Sequence, residues 1–261
     1  MKKEDIRIVF MGTPEFAVTI LNKLIESNYS IVGVITAPDR PAGRGQKINE
    51  SAVKVFSKSK GLPVLQPTNL KDETFLKALE SLNANLQIVV AFRMLPKVVW
   101  QMPSLGTFNL HASLLPDYRG AAPINWAIIN GEKETGATTF FIDEKIDTGA
   151  VILQSKIGIS ATENAGELHD KLMHLGADLV LQTVQSIEVG DVKTFTQPLK
   201  ETKTAYKLNK DNCKVDWNAS MHAIYDQVRG LNPYPAAWGL LSNGEELLNI
   251  KLYEIRKHSE S

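Results

Sequence analysis

Short apolar runs and amphipathic stretches alternate along the first half of the chain. The run Ile6 to Met11 is almost wholly apolar and is closed by Gly12, which is typical of a buried parallel strand. Between Glu15 and Asn28, apolar residues recur at helical spacing, which predicts an amphipathic helix. Further strands are predicted at 29–38, 62–67, 86–92 and 105–112, and further helices ending near 60 and spanning 71–83. This order predicts an α/β fold with right-handed crossovers and a mainly parallel sheet.

The second half begins with two more predicted strands, at 136–143 and 149–160, and a long predicted helix at 163–190. The polar stretch Asp191–Tyr206 is interpreted as a surface linker. A short helix near 218–231 and a hairpin with Asn243-Gly244 at its turn follow. We therefore expect a first domain over 1–190, a linker over 191–206 and a small second domain over 207–261. Trp217 and Trp238 are expected in the core of the second domain.

Composition places the chain among ordinary globular proteins, with 43% hydrophobic and 22% charged residues. Lys plus Arg and Asp plus Glu number 29 each, so no global charge favours nucleic acid or membrane. The single cysteine, Cys213, excludes a disulfide framework, and His169 and His174 are spaced poorly for a metal site. The start of the chain does not resemble a signal peptide, so we expect a cytoplasmic protein without membrane contact.

The first strand-to-helix turn, "GTPEFA", has one glycine where a dinucleotide-binding protein carries three. A nicotinamide or flavin cofactor is therefore not expected. One interpretation is a tight turn and helix start, with Thr13 as the cap and Pro14 at the first helical position. The alternative is that the free backbone amides and the dipole of the helix start lie near a ligand.

Asn109 and His111 are polar residues at the end of an otherwise apolar strand. Because strand side chains alternate, both lie on one face, and the carboxyl end of a parallel strand is where such sheets bind ligands. A lone histidine is more often structural, and Asp147 in the loop "FIDEKIDTGAV" is equally compatible with an ordinary turn residue. Together the three residues are candidates for handling a proton and stabilising an oxyanion.

The segment Pro38–Lys60 is a local basic patch: six Lys and Arg minus two acidic residues leave a net charge of four. One interpretation is a solvated helix face, which suits the later lysines. The other is that "RPAGRGQK" is an arm that contacts a phosphate backbone through its arginines. Both interpretations stay open from the residues alone.

Several ordered motifs resemble the formyltetrahydrofolate-dependent formyltransferase family, in the branch that acts on methionyl-tRNA. They are "FMGTPEFAV", "DRPAGRGQK", "NLHASLLPDYRGAAPINWAI", "TGATTFFIDEKIDTG" and "VDWNASMHAIYDQVRGLNPYPAAW". The resemblance covers most of the chain. It implies a Rossmann-like formyl-transfer domain followed by a C-terminal barrel of the oligonucleotide-binding type. Because few strands are predicted after Lys203, we expect that barrel to be shortened.

The resemblance also implies roles for particular residues. Asn109, His111 and Asp147 match the family's catalytic positions. Positions matching the folate-binding segments are Ser113, Leu114, Leu115, Pro116, Phe92, Arg93, Met94, Leu95 and Asp143. Arg93 departs from the family pattern, since many relatives have glycine in this turn. Positions matching the tRNA-reading loop are Arg40, Arg44 and Lys47.

The implied activity is transfer of a formyl group from 10-formyltetrahydrofolate, a co-substrate, to the α-amine of initiator methionyl-tRNA for translation initiation. Neither a metal nor a nucleotide cofactor is implied, and a monomer is expected. The alternatives are a formyltransferase acting on a sugar nucleotide or glycinamide ribonucleotide, a hydrolase releasing formate, and a non-catalytic RNA-binding module on the same scaffold.

Overall fold

The computed structural model of the chain describes residues 2–42, 47–198 and 203–257. A 3₁₀ helix spans Lys3–Asp5. The strands are β1 (Arg7–Gly12), β2 (Ser30–Ile35), β3 (Arg40–Ala42), β4 (Lys47–Asn49), β5 (Val64–Leu65), β6 (Leu86–Val90), β7 (Thr107–His111), β8 (Arg119–Gly120), β9 (Glu134–Phe141), β10 (Val151–Gly158), β11 (Thr204–Ala205), β12 (Ala237–Asn243) and β13 (Glu246–Leu252). The helices are α1 (Glu15–Glu26), α2 (Ala52–Ser59), α3 (Glu73–Ser81), α4 (Lys97–Trp100), α5 (Pro123–Ile129), α6 (Ala165–Val189) and α7 (Met221–Leu231).

The central sheet has seven strands in the order β10-β9-β7-β6-β1-β2-β5. β1 pairs in parallel with β2 and β6, β2 with β5, and β6 with β7. β9 runs antiparallel to β7. The predicted α/β fold with a mainly parallel sheet is confirmed. Because the parallel strands point the same way, β6 and β7 end at one edge of the sheet, where β7 finishes at His111.

Two compact units make up the chain, each built from separate segments. One comprises Met1–His111, Ala137–Ser155 and Met173–Pro198. Its core includes Val9, Met11, Ile35 and Val89 on the sheet, together with side chains from α3. The other comprises Ala112–Gly136, Lys156–Leu172 and Leu199–Ser261. Its cluster of buried residues is Cys213, Val215, Val228, Leu231 and Ala237.

Helix α1 begins at Glu15, as the apolar spacing predicted, but its cap differs from the expected one. Pro14 occupies the N-cap with extended backbone angles, φ −83° and ψ 175°, and no side chain caps the helix. The prediction of Thr13 as cap and Pro14 at the first helical position is therefore wrong. With ψ near 180°, Pro14 cannot form the first helical turn, so the helix starts at Glu15.

The polar composition of Asp191–Tyr206 predicted a surface linker, but part of this stretch is buried or paired with strands. Phe195 forms an isolated antiparallel bridge with Val151, Gln197 is only 4% exposed, and β11 pairs with β8. The Gln197 side chain hydrogen-bonds buried backbone carbonyls, which the polar composition of the stretch does not reveal.

The predicted C-terminal hairpin is present as β12 and β13, but its turn is shifted by one residue. Asn243 pairs with Glu246, so the two-residue loop is Gly244 and Glu245, with Gly244 at φ +66°. Trp217 is 56% exposed, which corrects its predicted place in the core. Trp238 is partly buried against the cluster around Cys213, as expected.

Candidate active site

The end of β7 has a buried apolar face and a polar face. Phe108 and Leu110 are buried, while Asn109 is partly exposed and His111 is buried at the last position of the strand. Asn109 lies between Val89 of β6 and Phe140 of β9 in the sheet. The sheet on both sides fixes the backbone of β7, so the polar groups at its end are held on a rigid element.

His111 and Asp147 are brought together in the structure. The imidazole Nδ1 lies 3.8 Å from the carboxylate Oδ2, and the two side chains are 7% and 15% exposed. The carboxylate is thus placed to stabilise positive charge that develops on the ring when the ring takes up a proton.

The loop that carries Asp147 is held by its own hydrogen bonds. The Asp143 carboxylate accepts from the Lys145 backbone N–H at 2.9 Å and from the Thr148 hydroxyl at 2.8 Å. Asp143, predicted from the resemblance as a folate contact, therefore closes this turn. Asp147 itself has φ +55°, a left-handed conformation that aspartate tolerates better than most residues.

Glycine is required at position 149 by close packing. A Cβ at Gly149 would overlap the carbonyl oxygen of Phe141, the last residue of β9. The loop returns to β10 beside Phe141, whose backbone N–H donates to the Ala150 carbonyl at 2.9 Å. The chain therefore enters and leaves the Asp147 loop along one fixed path.

Gln197 was not identified from the sequence. Its side-chain amide donates to the backbone carbonyls of Asp147 and Gly149, each at 2.9 Å. Its sequence context is polar and resembles a linker, so no pattern marks it. The bridge between Phe195 and Val151 places this stretch beside β10, and the sequence does not reveal that bridge.

Arg93, the residue that departs from the family pattern, has a local role. Its guanidinium donates to the backbone carbonyls of Thr68, at 2.9 Å, and Pro67, and it lies 5.6 Å from the Phe92 ring centre. Burial, and secondarily the charge of Arg40, lower the pKa of Arg93. Arg93 thus ties the segment after β6 to a neighbouring loop. In the same segment, Met94 is exposed and Leu95 is buried.

The Ser113–Pro116 segment belongs to the other compact unit. Ser113 is fully buried, and its hydroxyl donates to the Asp117 carbonyl at 2.7 Å. Leu115 is also buried, whereas Leu114 and Pro116 are half-buried. The Ser113 hydroxyl therefore helps to close this turn.

After β2 the chain forms a hairpin of two short strands, β3 and β4, in which Arg40 pairs with Asn49. Arg40 is exposed. Arg44 and the side chain of Lys47, both predicted to contact tRNA, lie outside the described residues.

The solvated-face interpretation of the later lysines is wrong for Lys54. Its side chain is 11% exposed, and its ammonium group binds the carboxylates of Asp39 and Glu50, the latter at 2.8 Å. Lys58 also binds Glu50, at 2.6 Å. Asp39 and Glu50 are already subtracted in the net charge of four. Because they pair with Lys54 and Lys58, the net positive charge of the patch rests mainly on its other basic residues.

Within residues 2–42, 47–198 and 203–257, no group of three or more His, Cys, Asp or Glu residues is arranged to hold a metal ion. Over the same ranges, none of the helices combines the length and the apolar character needed to span a bilayer.

Two family models match the chain. The formyl transferase model matches residues 6–184, and the model of the formyl transferase C-terminal domain matches residues 207–261. The chain is 64% identical over 259 residues to the methionyl-tRNA formyltransferase of Flavobacterium johnsoniae, which covers 99% of this chain and 82% of that protein. It is 58% identical over 262 residues to the methionyl-tRNA formyltransferase of Bacteroides fragilis, covering 98% and 81%.

Solved formyltransferases share the fold at low sequence identity. A sugar N-formyltransferase from Shewanella superposes with a TM-score of 0.71 at 18% identity, covering 97% of this chain and 99% of that chain. An N-formyltransferase from Helicobacter canadensis, solved with folinic acid and dTDP-3-aminofucose, gives a TM-score of 0.66 at 23% identity, covering 86% and 80%. The identities of 64% and 58% over nearly the whole chain are decisive for the family. This chain belongs to the methionyl-tRNA formyltransferases.

Proposed function

We propose that this protein transfers the formyl group of 10-formyltetrahydrofolate to the α-amine of methionyl-tRNA. The observation that carries the proposal is the His111–Asp147 pair, 3.8 Å apart, on the same unit as Asn109 at the end of β7. High identity to methionyl-tRNA formyltransferases supports the acceptor.

Asn109 is the proposed oxyanion stabiliser. The α-amine of the methionyl group attacks the formyl carbon, a new C–N bond forms, and the formyl oxygen gains negative charge. The Asn109 amide donates a hydrogen bond to that oxygen as the charge develops. Losing one such donor typically costs about 10²–10³ in rate.

His111 is the proposed proton carrier, with Asp147 as its partner. When the intermediate collapses, the bond between the formyl carbon and N10 of the folate breaks. The attacking amine has lost a proton, and N10 gains one, so the imidazole takes up the first and delivers the second. The products are formylmethionyl-tRNA and tetrahydrofolate. General acid–base help of this kind contributes about 10²–10⁴ in rate.

The folate contacts that the resemblance implies remain proposals. In the first unit they are Phe92, Arg93, Met94, Leu95 and Asp143; in the second they are Ser113, Leu114, Leu115 and Pro116. Leu114 and Pro116 are the members of the second group that keep partial exposure, so they are its better candidates for direct contact. Residues 1–190 are proposed as the catalytic domain, 191–206 as the connection and 207–261 as the C-terminal domain.

The tRNA contacts are assigned to the hairpin that begins at Arg40, with Arg44 and Lys47 as further contributors. The exposure of Arg40 supports a phosphate contact. Initiator tRNA is the proposed acceptor, a monomer the proposed state and the cytoplasm the proposed compartment.

An acceptor comparison tests the proposal. Formyl transfer from 10-formyltetrahydrofolate is measured with initiator methionyl-tRNA, elongator methionyl-tRNA and an amino-sugar nucleotide. We expect the initiator tRNA to be formylated most efficiently. Formylation of the sugar nucleotide alone would overturn the acceptor assignment, while binding of tRNA without turnover would favour a non-catalytic RNA-binding module.

A further inference from the structure

Gln197 joins two polypeptide segments at the loop that carries Asp147. Its side-chain nitrogen donates to the carbonyl oxygens of Asp147 and Gly149, both at 2.9 Å. The side chain is nearly completely buried. One amide group therefore fixes the backbone on both sides of Thr148, at the residue that faces His111 and at the glycine that returns the chain to β10.

The backbone explains how Gln197 reaches this position. Phe195 and Val151 exchange two backbone hydrogen bonds, of 2.9 and 3.0 Å, as an antiparallel bridge. Two residues further along one segment is Gln197, and two residues back along the other is Gly149. In antiparallel register these residues are opposite each other. At this point the Gln197 side chain donates to the carbonyls of the loop.

The loop needs such a brace for two reasons. Asp147 has φ +55°, which is unfavourable for a residue with a side chain, so neighbouring contacts must maintain it. The carboxylate also lies 3.8 Å from His111, a separation that a small rotation of the Asp147 backbone would change. A carbonyl held at residue 147 itself limits that rotation directly.

We infer that Gln197 is a positioning residue for the reaction, which acts through Asp147 by holding the loop in the conformation that presents the carboxylate to His111. The inference rests on the proposed function. If Gln197 only stabilised the fold, its replacement would affect kcat equally whether or not Asp147 was present. If it positions Asp147, its replacement should matter only when Asp147 is present.

The test is a double-mutant cycle. Gln197→Met keeps the length and buried volume of the side chain but donates no hydrogen bond. It is combined with Asp147→Asn, and kcat and KM for formyl transfer to methionyl-tRNA are measured for all four proteins. Gln227→Met is the matched control, because Gln227 also donates to two backbone carbonyls, those of Asn212 and Lys214, on the C-terminal segment.

We expect Gln197→Met to lower kcat about tenfold through misplacement of Asp147. The KM for 10-formyltetrahydrofolate and the KM for methionyl-tRNA should stay nearly unchanged. In the Asp147→Asn background the same change should have little further effect, since coupled residues are not additive. Gln227→Met should leave kcat unaltered. Unfolding measured by circular dichroism monitors the fold of each variant.

Equal effects of Gln197→Met in both backgrounds, or no effect on kcat in either, would overturn the inference. If Gln197→Met does not fold, Gln197→Glu replaces it, since a carboxylate has a similar shape and repels the two carbonyls. Failure of the proposed function has a different signature: the wild type itself does not formylate methionyl-tRNA, or Asp147→Asn leaves its rate unchanged.

Discussion

Nδ1 of His111 lies 3.8 Å from Oδ2 of Asp147, and both side chains are largely buried. The separation is that of an ion pair and exceeds a direct hydrogen bond. It suits a carboxylate that stabilises transient positive charge on the ring.

Replacement of Asp147 by asparagine tests this relationship. We expect kcat to fall about a hundredfold, because the amide keeps the shape but no longer offsets charge on the imidazole. KM for both substrates should change little. Asp178→Asn is the control, since Asp178 forms an exposed ion pair with Lys23 at 2.7 Å. Equal kcat values for wild type and Asp147→Asn would remove Asp147 from the mechanism.

Gly149→Ala should disrupt the loop sterically. The added Cβ would overlap the backbone carbonyl of Phe141, which cannot move without disturbing β9. We expect a loss of about 3 kcal/mol in the free energy of unfolding, together with lower activity. Gly158→Ala is the control, because the nearest atom to its added Cβ is 3.9 Å away. Urea denaturation gives the free energy of unfolding of both variants. Equal values would show that the Phe141 carbonyl does not require glycine at position 149.

Lys54→Met should loosen the hairpin formed by β3 and β4. Lys54 binds Asp39, which precedes β3, and Glu50, which follows β4, so one ammonium group holds both ends of the hairpin. Hydrogen exchange at Arg40 and Asn49 should accelerate, and KM for methionyl-tRNA should rise about tenfold as its phosphate contacts weaken. Lys58→Met, which leaves the Asp39 contact intact, should have a smaller effect. Unchanged hydrogen exchange at Arg40 and Asn49 in Lys54→Met would show that the Lys54 ion pairs do not hold the hairpin.

Glu132 provides a pH-dependent contribution to stability. Burial opposes its ionisation, but hydrogen bonds from Lys203 and Tyr118 outweigh burial and lower the pKa of Glu132 below its ordinary value of 4.5. Because the folded pKa is lower than the unfolded one, the contribution is complete above pH 4.5 and is lost as the pH falls through the folded value.

Glu132→Gln should therefore lower the free energy of unfolding at pH 7 by about 1 kcal/mol, a value discounted for the exposure of Lys203. The difference in the free energy of unfolding between variant and wild type should shrink as the pH falls below 4.5, the ordinary pKa of glutamate. Glu134→Gln is the control, because its ion pair with Lys156 is exposed on both sides. A difference that grows on acidification would have the wrong sign for this account.

The sheet and the polar end of β7 were predictable because apolar runs encode buried strands. The run Ile6–Met11 corresponds to β1, and the polar positions Asn109 and His111 stand out against the apolar residues around them. Asp147 could be proposed from its motif, but its approach to His111 depends on the path of a loop, which hydrophobic spacing does not encode.

The structural roles of Gln197 and Lys54 could not be predicted for a related reason. Both are polar residues in polar stretches, and their burial depends on partners distant in sequence. Gln197 reaches residues 147 and 149, and Lys54 reaches Asp39. Trp217 illustrates the converse, since a large apolar side chain predicted for the core is mainly exposed.

Formyl transfer by His111→Ala is the most direct test of the central claim. The measurement is the single-turnover rate from 10-formyltetrahydrofolate to methionyl-tRNA, with wild type and variant at saturating substrate. The proposed role of His111 predicts a rate lower by about 10²–10⁴ in the variant, with folate and tRNA still bound. A variant rate within about threefold of the wild type would contradict it.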